Sequence, residues 1–319
     1  MIGRQRARGR LPAPLLRPLV GLVSRRVANE RVPVERQRSR MEAGASRAPL
    51  PEGVDVTETL VGDVPCLRVA AHGADPAWAV LQLHGGGYCI GSPTTARVFA
   101  AHLALAVRVP VVVPDYRLAP EHPHPAALED TEAVWRALAE QVGAGHLVVA
   151  GDSAGGGLAV ALAQRLRGRG RDVPLALVLL SPWLDLAADR RTDQRLVRRD
   201  PMLSPGWLEA CAAAYAAGRP LTLPQISPLY GSLAQLPPTL VIAGADDLLI
   251  GDSDRFVRSA RDAGAQVDYI RVPGLWHVYP TLVGMLAEAD RAVEHVAAFV
   301  GRHRRSADVG DRGNRASGA

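Results

Sequence analysis

A five-residue segment around Ser153 has the residue types that expose a hydroxyl group for nucleophilic attack. It reads Gly151-Asp152-Ser153-Ala154-Gly155 and fits the pattern G-x-S-x-G. An apolar run typical of a buried strand precedes it at 146–150, and an apolar helical pattern follows at 155–167. In this setting the motif predicts a sharp turn from strand to helix, with the serine hydroxyl exposed at the top of a sheet. Small flanking residues are needed because a Cβ would clash in such a strained turn.

A serine hydroxyl is a weak nucleophile near neutral pH, so it needs a base, and the base needs an orienting acid. Both partners are expected after the serine, the acid just past one strand and the histidine in a later loop. His277 lies in such a loop, directly after a predicted strand at 267–272. The other two histidines after Ser153 are His295, in the predicted last helix, and His303, in the tail. We therefore interpret His277 as the general base.

The acid is expected in the segment Gly244-Ala245-Asp246-Asp247, which follows a predicted strand at 240–243. Either Asp246 or Asp247 could orient the histidine, and this placement alone leaves both open. Asp252 is interpreted as the N-cap of the next predicted helix, because aspartate is favoured at that position.

Acyl transfer also requires hydrogen-bond donors for the oxyanion that forms in the transition state. The segment His84-Gly85-Gly86-Gly87 follows a predicted strand at 77–83. Its three glycines allow the backbone to turn N–H groups toward a substrate oxygen, in concert with the N–H of the residue after the serine, Ala154. The sequence therefore predicts an oxyanion hole formed by these two segments.

The elements that must position these residues alternate along most of the chain. Two strands joined at Gly62-Asp63 come first, and from residue 77 onward strands alternate with helices. This order predicts an α/β fold with a mostly parallel sheet and helices on both faces. The predicted strands are at 54–60, 65–70, 77–83, 110–114, 146–150, 175–180, 240–243 and 267–272, and the predicted helices at 97–107, 126–141, 155–167, 252–263 and 281–300.

Residues 1–50 are predicted to form an N-terminal arm with a cap helix. The first twelve residues are expected to be disordered, and apolar residues at 14–34 recur with the spacing of an amphipathic helix. A linker containing proline and glycine is predicted at 41–53.

The body of the chain is predicted as one catalytic domain at 51–300. Residues 185–235 interrupt the alternation with helical patterning and are interpreted as an insertion that forms a cap above the sheet, where ligands bind in such folds. Residues 301–319 are rich in Arg, Gly, Ser and Asp and are predicted to be a disordered tail.

The net charge of +5 comes from the two ends of the chain. Residues 1–40 carry a net charge of +9 and residues 301–319 a net charge of +3, which leaves about −7 for the remainder. A nucleic-acid-binding protein carries positive charge on its folded face, so nucleic acid is excluded as a partner. For the basic helix at 14–34, packing on the body is expected, with contact with an anionic membrane surface as the alternative.

The three cysteines, Cys66, Cys89 and Cys211, are odd in number and far apart. They fit neither a disulfide framework nor the spacing of a metal site, and we interpret them as reduced thiols of a cytoplasmic protein. No apolar run approaches the ~18 residues of a membrane span, so stable membrane insertion is not expected.

Taken together, the motifs closely resemble those of the bacterial hormone-sensitive-lipase-like carboxylesterases, members of the α/β-hydrolase superfamily. They occur in the order of that family over roughly residues 50–300. The matching motifs are His84-Gly85-Gly86-Gly87-Tyr88, Asp115-Tyr116-Arg117-Leu118-Ala119-Pro120-Glu121, Gly151-Asp152-Ser153-Ala154-Gly155-Gly156, Ser181-Pro182-Trp183, Ser227-Pro228-Leu229, Leu236-Pro237-Pro238, the turn at 244–252 and the segment at 274–279.

This resemblance implies an α/β-hydrolase fold with no metal or organic cofactor, and a cap built from the N-terminal residues and the insertion. It implies Ser153 as the nucleophile, His277 as the base and Asp247 as the acid. The family's acid lies three residues after a glycine, here Gly244, and two before a leucine, here Leu249.

The resemblance also assigns roles around the triad. Gly86 and Gly87 are expected to be oxyanion donors together with Ala154, while Gly85 shapes the turn. The remaining supporting residues are an Arg117–Glu121 pair, expected to hold loops beneath the site, and Asp152, expected to support the loop bearing the acid and base.

The expected activity is hydrolysis of small-molecule carboxylic esters with short to medium acyl chains, through an acyl-enzyme. One alternative is a non-catalytic ligand-binding protein on the same scaffold, which the presence of His277 disfavours, since such receptors typically lose the base. The other is an amidase, lactonase or dehydratase, which the triad alone does not distinguish. Pairing of two chains into a homodimer is left open.

Overall fold

The computed structural model describes residues 10–317, with side chains described up to residue 307. The disorder expected for residues 1–12 falls mainly on residues 1–9, which lie outside the described residues. The described strands are β1 Val54–Val61, β2 Val64–Ala71, β3 Ala79–Leu83, β4 Val111–Pro114, β5 Leu147–Asp152, β6 Ala176–Leu180, β7 Thr239–Gly244 and β8 Val267–Val272. The described helices are α1 Ala13–Val27, α2 Val34–Ala45, α3 Pro93–Val107, α4 Ala126–Val142, α5 Ala154–Gly168, α6 Gln194–Arg199, α7 Pro205–Ala216, α8 Ile250–Asp262 and α9 Ala287–Ser317.

These eight strands form one sheet in the order β1-β2-β4-β3-β5-β6-β7-β8. The pairs β1–β2 and β2–β4 are antiparallel, and all the other neighbours are parallel. This confirms the predicted α/β class with a mostly parallel sheet. Because parallel strands end at the same edge, the segments that follow β3, β5, β7 and β8 meet there, and these segments carry the candidate site residues.

Side chains along the central strands alternate between two hydrophobic clusters, as the pleat of a strand requires. Val80 and Val148 belong to a cluster that includes residues of α3 and α9. Their neighbours Leu81 and Val149 belong to a second cluster, which includes residues of α4, α5 and α8. The sheet is therefore covered by helices on both faces, and β3, β5 and β7 are buried on both faces, whereas the edge strand β8 is partly exposed.

The helices α1, α2, α6 and α7, called here the cap helices, contact one another although they are distant in sequence. The indole N–H of Trp207 in α7 donates to the side-chain oxygen of Gln37 in α2 over 2.9 Å. The Arg17 guanidinium in α1 donates to the carbonyl of Arg199 at the end of α6. The N-terminal residues and the insertion thus pack against each other on one side of the site.

The N-terminal region differs in detail from the prediction. A single helix was expected at 14–34, but the structure has two helices separated by residues 28–33. The backbone leaves the helical conformation at Ala28, and Pro33, immediately before α2, disfavours helical backbone in Val32, so one continuous helix does not form over 14–34. The linker predicted at 41–53 is shorter, because α2 extends to Ala45.

The C-terminal helix also differs from the prediction. A disordered tail is expected at 301–319, but α9 continues to Ser317, and residues 318–319 lie outside the described part. Two ion pairs hold the first of these turns against the body, Arg302 with Asp268 over 2.6 Å and Arg304 with Asp75 over 2.8 Å.

All three cysteines are buried and free. Among the helices of residues 10–317, none is long and apolar enough to cross a membrane.

Candidate active site

Ser153 stands on a turn between a strand and a helix, as the motif predicts. β5 ends at Asp152, α5 begins at Ala154, and Ser153 between them has φ 53° and ψ −118°. This backbone conformation is rare for a residue with a side chain and is held only where the surroundings enforce it. A Cβ on Gly155 would collide with the carbonyl oxygen of Leu83 at the end of β3. The small residue is required because the two chain segments approach so closely.

His277 connects the serine hydroxyl to a carboxylate. Its Nε2 lies 2.8 Å from the Oγ of Ser153, and its Nδ1 lies 3.1 Å from each carboxylate oxygen of Asp247. The three side chains are 5%, 3% and 0% exposed, in the order Ser153, His277 and Asp247. The structure therefore brings together three residues that lie far apart in sequence, in the order that general-base activation of a serine requires.

Asp246, the other candidate for the acid, faces the cap helices instead. Its carboxylate receives hydrogen bonds from Arg17 of α1 over 2.8 Å and from Arg199 of α6 over 3.2 Å. The same Arg17 also donates to the carbonyl of Gly274 over 2.7 Å, in the loop that leads to His277. Of the two adjacent aspartates, only Asp247 contacts the histidine in the described structure.

The electrostatic environment raises the pKa of His277. Burial lowers this pKa, but the charge and hydrogen bond of Asp247 raise it, and the charges of Asp200 and Asp152 add to that effect. The net result is a pKa above the ordinary value of 6.5. A base of this kind accepts a proton from a hydroxyl more readily than an isolated imidazole does.

Asp200 is a residue of the site that the sequence analysis missed. It lies between α6 and α7, and its carboxylate accepts hydrogen bonds from the backbone N–H groups of Met202 and Leu248, both over 2.8 Å. Burial raises the pKa of Asp200 to about 7, and the nearby charge of Asp247 contributes to the rise. No sequence signal identifies this residue, because only the tertiary structure places it beside the acid.

The glycine segment after β3 has the backbone conformation expected of an oxyanion loop. Gly86 and Gly87 have φ values of 121° and 62°, a region that favours glycine. Within the described residues, the N–H groups of Gly86, Gly87 and Ala154 donate to no protein acceptor. Gly85 differs, because its N–H donates to the carboxylate of Asp152 over 3.1 Å. Of the four predicted oxyanion-hole residues, Gly86, Gly87 and Ala154 thus keep an N–H group available to a substrate oxygen, and Gly85 does not.

Two supporting interactions are wrong in the sequence interpretation. Asp152 does not support the loop of the acid and base by a hydrogen bond; its carboxylate holds the oxyanion loop through Gly85, and burial raises its pKa to about 6. Arg117 does not pair with Glu121. It forms an ion pair with Asp130 over 2.7 Å, whereas Glu121 pairs over 2.8 Å with Arg38 of α2, 83 residues away in sequence.

Asp252 is not the N-cap of α8. The helix begins at Ile250, and the carboxylate of Asp252 accepts hydrogen bonds from the backbone N–H groups of Leu184 and Asp185 and pairs with Arg190 over 2.7 Å. The residue is fully buried and fixes the start of the insertion to the body of the protein.

A cavity of about 450 Å³ opens above Ser153 and His277. Its wall is largely apolar and combines residues of the body with residues of the cap helices. His84 also lines it; burial lowers the pKa of His84 to about 4, so this imidazole is neutral near pH 7. The apolar lining residues include Val23, Val27, Ala28, Met41, Ile90, Phe99, Met202, Leu203, Trp207 and Leu282.

The fold and the site together define a class of protein. A mostly parallel eight-stranded sheet carries a serine on the turn after β5, an aspartate after β7 and a histidine after β8, all in contact beneath an apolar cavity. This arrangement is that of the α/β hydrolases.

Comparison with known proteins identifies the family. The chain belongs to the α/β-hydrolase fold family, whose model matches residues 80–281. It is 35% identical to the putative acetyl-hydrolase LipR of Mycobacterium tuberculosis, over 86% of this chain and 90% of that protein. It is 39% identical to an acetyl-hydrolase of Streptomyces hygroscopicus, over 69% of this chain and 74% of that protein. A crystal structure of a hormone-sensitive lipase from a metagenome library superposes with a TM-score of 0.87 at 34% identity, covering 92% of this chain and 99% of that one. The protein is thus a hydrolase of the bacterial hormone-sensitive-lipase-like group.

Proposed function

We propose that this hydrolase cleaves small-molecule carboxylic esters with short to medium acyl chains, and that Ser153, His277 and Asp247 are its catalytic triad. The observation that carries the proposal is the continuous hydrogen-bond chain from the Ser153 hydroxyl through His277 to Asp247, buried at the floor of the cavity. The names of the relatives, among them an acetyl-hydrolase and an esterase of Acinetobacter venetianus, agree with ester hydrolysis.

In the first half of the reaction, the Oγ of Ser153 attacks the ester carbonyl while the Nε2 of His277 accepts the hydroxyl proton. The carbonyl oxygen becomes an oxyanion and receives hydrogen bonds from the backbone N–H groups of Gly86, Gly87 and Ala154. His277 then donates its proton to the departing alkoxide, which leaves as the alcohol. The acyl group remains bound to Ser153 as an ester.

In the second half, His277 takes a proton from a water molecule, and the resulting hydroxide attacks the acyl-enzyme. The tetrahedral intermediate collapses, His277 returns the proton to Ser153, and the carboxylic acid is released. Throughout, Asp247 accepts a hydrogen bond from Nδ1 of His277, which fixes the tautomer and stabilises the imidazolium.

The size and chemistry of the cavity support the proposed substrate class. A volume of about 450 Å³ lies within the range of roughly 300–1,000 Å³ typical of small-molecule sites. The apolar wall formed by Phe99, Trp207 and Met202 suits aliphatic chains, and it offers few polar groups to bind a charged substrate.

The proposal is tested with purified protein and p-nitrophenyl esters of increasing acyl length. We expect turnover that is highest for short to medium chains, and a loss of about 10⁴-fold or more in Ser153→Ala. A fluorophosphonate should label the wild-type protein stoichiometrically and leave Ser153→Ala unlabelled. Undiminished hydrolysis by Ser153→Ala would refute the triad, and a wild-type protein that neither turns over esters nor reacts with the probe would favour a binding protein.

A further inference from the structure

The outer side of α1 exposes an unusual concentration of aliphatic side chains. Among the described residues, nine large hydrophobic side chains are exposed, and five of them lie between residues 11 and 23. We call these five the leucine face; their exposed fractions range from 45% to 64%. The leucine face consists of Leu11, Leu15, Leu19, Leu22 and Val23.

Helical spacing explains why these side chains share one side. Leu15, Leu19 and Leu22 are separated by four and three residues, which places them on one face of a helix. The buried residues of α1 are Leu16, Gly21 and Ser24. Gly21 and Ser24 lie on the other side of the helix, whereas Leu16 lies at the edge of the leucine face, next to Val23. Packing on the body therefore uses one side of the helix, and among the residues that the structure describes no partner covers the leucine face.

The leucine face reaches the entrance of the cavity. Val23 is 53% exposed and also lines the cavity above Ser153. Next to the other end of the face is Met285, which is 48% exposed and whose carbonyl accepts a hydrogen bond from the N–H of Leu11 over 3.0 Å. Val23 therefore belongs both to the leucine face and to the wall of the cavity, so the two surfaces adjoin.

Positive charge surrounds this apolar surface. The first forty residues carry a net charge of +9, whereas the chain between residues 41 and 300 carries about −7. Arg25 and Arg26 follow the leucine face directly in α1, and Arg31, Arg36 and Arg40 are exposed nearby in sequence; the exposed acidic residues of this region are Glu30 and Glu35. Among the exposed charged residues of the described segment 10–40, five arginines therefore stand against two glutamates.

From these observations we infer that the leucine face docks on an anionic lipid surface, with α1 lying in the plane of the interface. An exposed aliphatic stripe with arginines beside it is the composition of a helix that binds membranes peripherally. The arginines are attracted to anionic headgroups, and the leucines enter the boundary between headgroups and acyl chains. In this orientation the entrance of the cavity faces the lipid, and an ester dissolved in the bilayer can enter without crossing water.

The area of the leucine face argues against a second copy of this chain as the occupant. A stable dimer buries about 800 Å² on each partner, whereas the leucine face consists of five partly exposed side chains.

The docking is tested by flotation of the full-length protein with two kinds of vesicle, pure phosphatidylcholine and a 3:1 mixture of phosphatidylcholine and phosphatidylglycerol. We expect binding to the anionic vesicles and little to the neutral ones. The double variant Leu15→Ser/Leu19→Ser should reduce the partition coefficient at least tenfold. A matched control, Leu60→Ser/Leu223→Ser, removes two exposed leucines elsewhere and should bind like the wild type.

A second variant tests the charge. Arg25→Gln/Arg26→Gln should weaken binding to the anionic vesicles several-fold and flatten its dependence on salt concentration, because fewer cations meet the headgroups. Lack of binding to anionic vesicles, or equal loss in the Leu60/Leu223 control, would overturn the inference. Sedimentation equilibrium without lipid that shows a dimer which Leu15→Ser/Leu19→Ser dissociates would assign the face to a second copy instead.

The idea that docking supplies esters to the site rests on the proposed function, whereas the docking itself does not. Failure of the docking and failure of the proposed function can be told apart, because vesicle binding should be unchanged in Ser153→Ala, which removes the proposed nucleophile. Hydrolysis of soluble p-nitrophenyl butyrate should remain within about twofold in Leu15→Ser/Leu19→Ser, since neither leucine belongs to the proposed catalytic machinery.

Discussion

The carboxylate of Asp200 accepts a hydrogen bond of 2.8 Å from the backbone N–H of Leu248, the residue that directly follows Asp247. Asp200 comes from the segment between two cap helices, so the turn that carries the acid is held from the cap side. The second carboxylate oxygen of Asp200 is bonded to the N–H of Met202. Asp200 therefore acts on the proposed acid and base in two ways. It holds the turn that carries Asp247, and its negative charge raises the pKa of His277.

The pH dependence of activity should change when the negative charge of Asp200 is removed. Hydrolysis requires neutral His277, and Asp247, Asp200 and Asp152 hold the pKa of His277 above 6.5. We expect the acidic limb of kcat/KM to lie above pH 6.5 in the wild type and to move to lower pH in Asp200→Asn. The shift should be smaller than the effect of a full charge, because Asp200 is only about half ionised near pH 7. The measurement is kcat/KM for a soluble ester between pH 5 and 9.

Asp246→Asn is the matched control for this shift. Asp246 also adjoins Asp247, but its charge is neutralised by Arg17 and Arg199 and is not among those that raise the pKa of His277. The acidic limb of the kcat/KM profile of Asp246→Asn should lie at the same pH as in the wild type. A purely structural role of Asp200 would lower kcat at every pH and leave the limb in place, which would contradict our interpretation.

The stability of the protein should also depend on Asp200 with a defined sign. The pKa of this carboxyl group is about 7 in the folded protein and 3.8 without the protein environment, so between these pH values the folded state binds the additional proton. The contribution of Asp200 to the free energy of unfolding therefore falls as pH rises from about 4 to about 7.

Urea unfolding of the wild type and Asp200→Asn at pH 4.5, 5.5 and 7.5 tests this sign. The variant has no carboxyl group to titrate, so its stability relative to the wild type should increase with pH across the window. The lost hydrogen bond lowers the variant's stability by about 1–3 kcal/mol at every pH and does not affect the trend. A relative stability that is constant or falls with pH would show that Asp200 is ionised throughout.

The two adjacent aspartates should differ sharply in their effect on catalysis. In Asp247→Asn, the amide cannot hold Nδ1–H of His277 as a carboxylate does, and kcat should fall about 10⁴-fold. In Asp246→Asn, the contact with His277 is untouched, and only the bonds from Arg17 and Arg199 weaken, so kcat should fall less than tenfold. The measurement is kcat of both variants on one ester. Equal losses of kcat in the two variants would reject the assignment of Asp247 as the acid.

The parts of the site that sequence predicted are those that local chemistry determines. The turn at Ser153 is encoded by its glycines, and the order of strands locates His277 and narrows the acid to two residues. The wrong assignments concern side chains with several acceptors or donors within reach, where only tertiary packing selects the partner. They are Asp152, Asp252 and the Arg117–Glu121 pair. Asp200 was not predicted at all, because 47 residues separate it from the acid and no motif marks it.

The corrected ion pairs around Glu121 give a final test, by double-mutant cycles on the free energy of unfolding. Arg38 and Glu121 contact each other between α2 and the body, so alanine substitutions should show a coupling energy of about 0.2–1 kcal/mol, as for partly exposed pairs. Arg117 and Glu121 share no contact, because Arg117 is bound to Asp130, and their coupling should be close to zero.

The sign of the pH dependence of the Arg38–Glu121 coupling follows from the pKa of Glu121. The hydrogen bond from Arg38 lowers that pKa below its usual 4.5, so the coupling is fully present above pH 4.5 and is lost as pH falls through the lowered value. Salt should weaken it as well, because the pair is exposed to solvent. Double-mutant cycles at pH 7 and near pH 3 measure the coupling with Glu121 ionised and protonated. A coupling energy between Arg117 and Glu121 larger than the one between Arg38 and Glu121 would contradict the observed ion pair between α2 and the body.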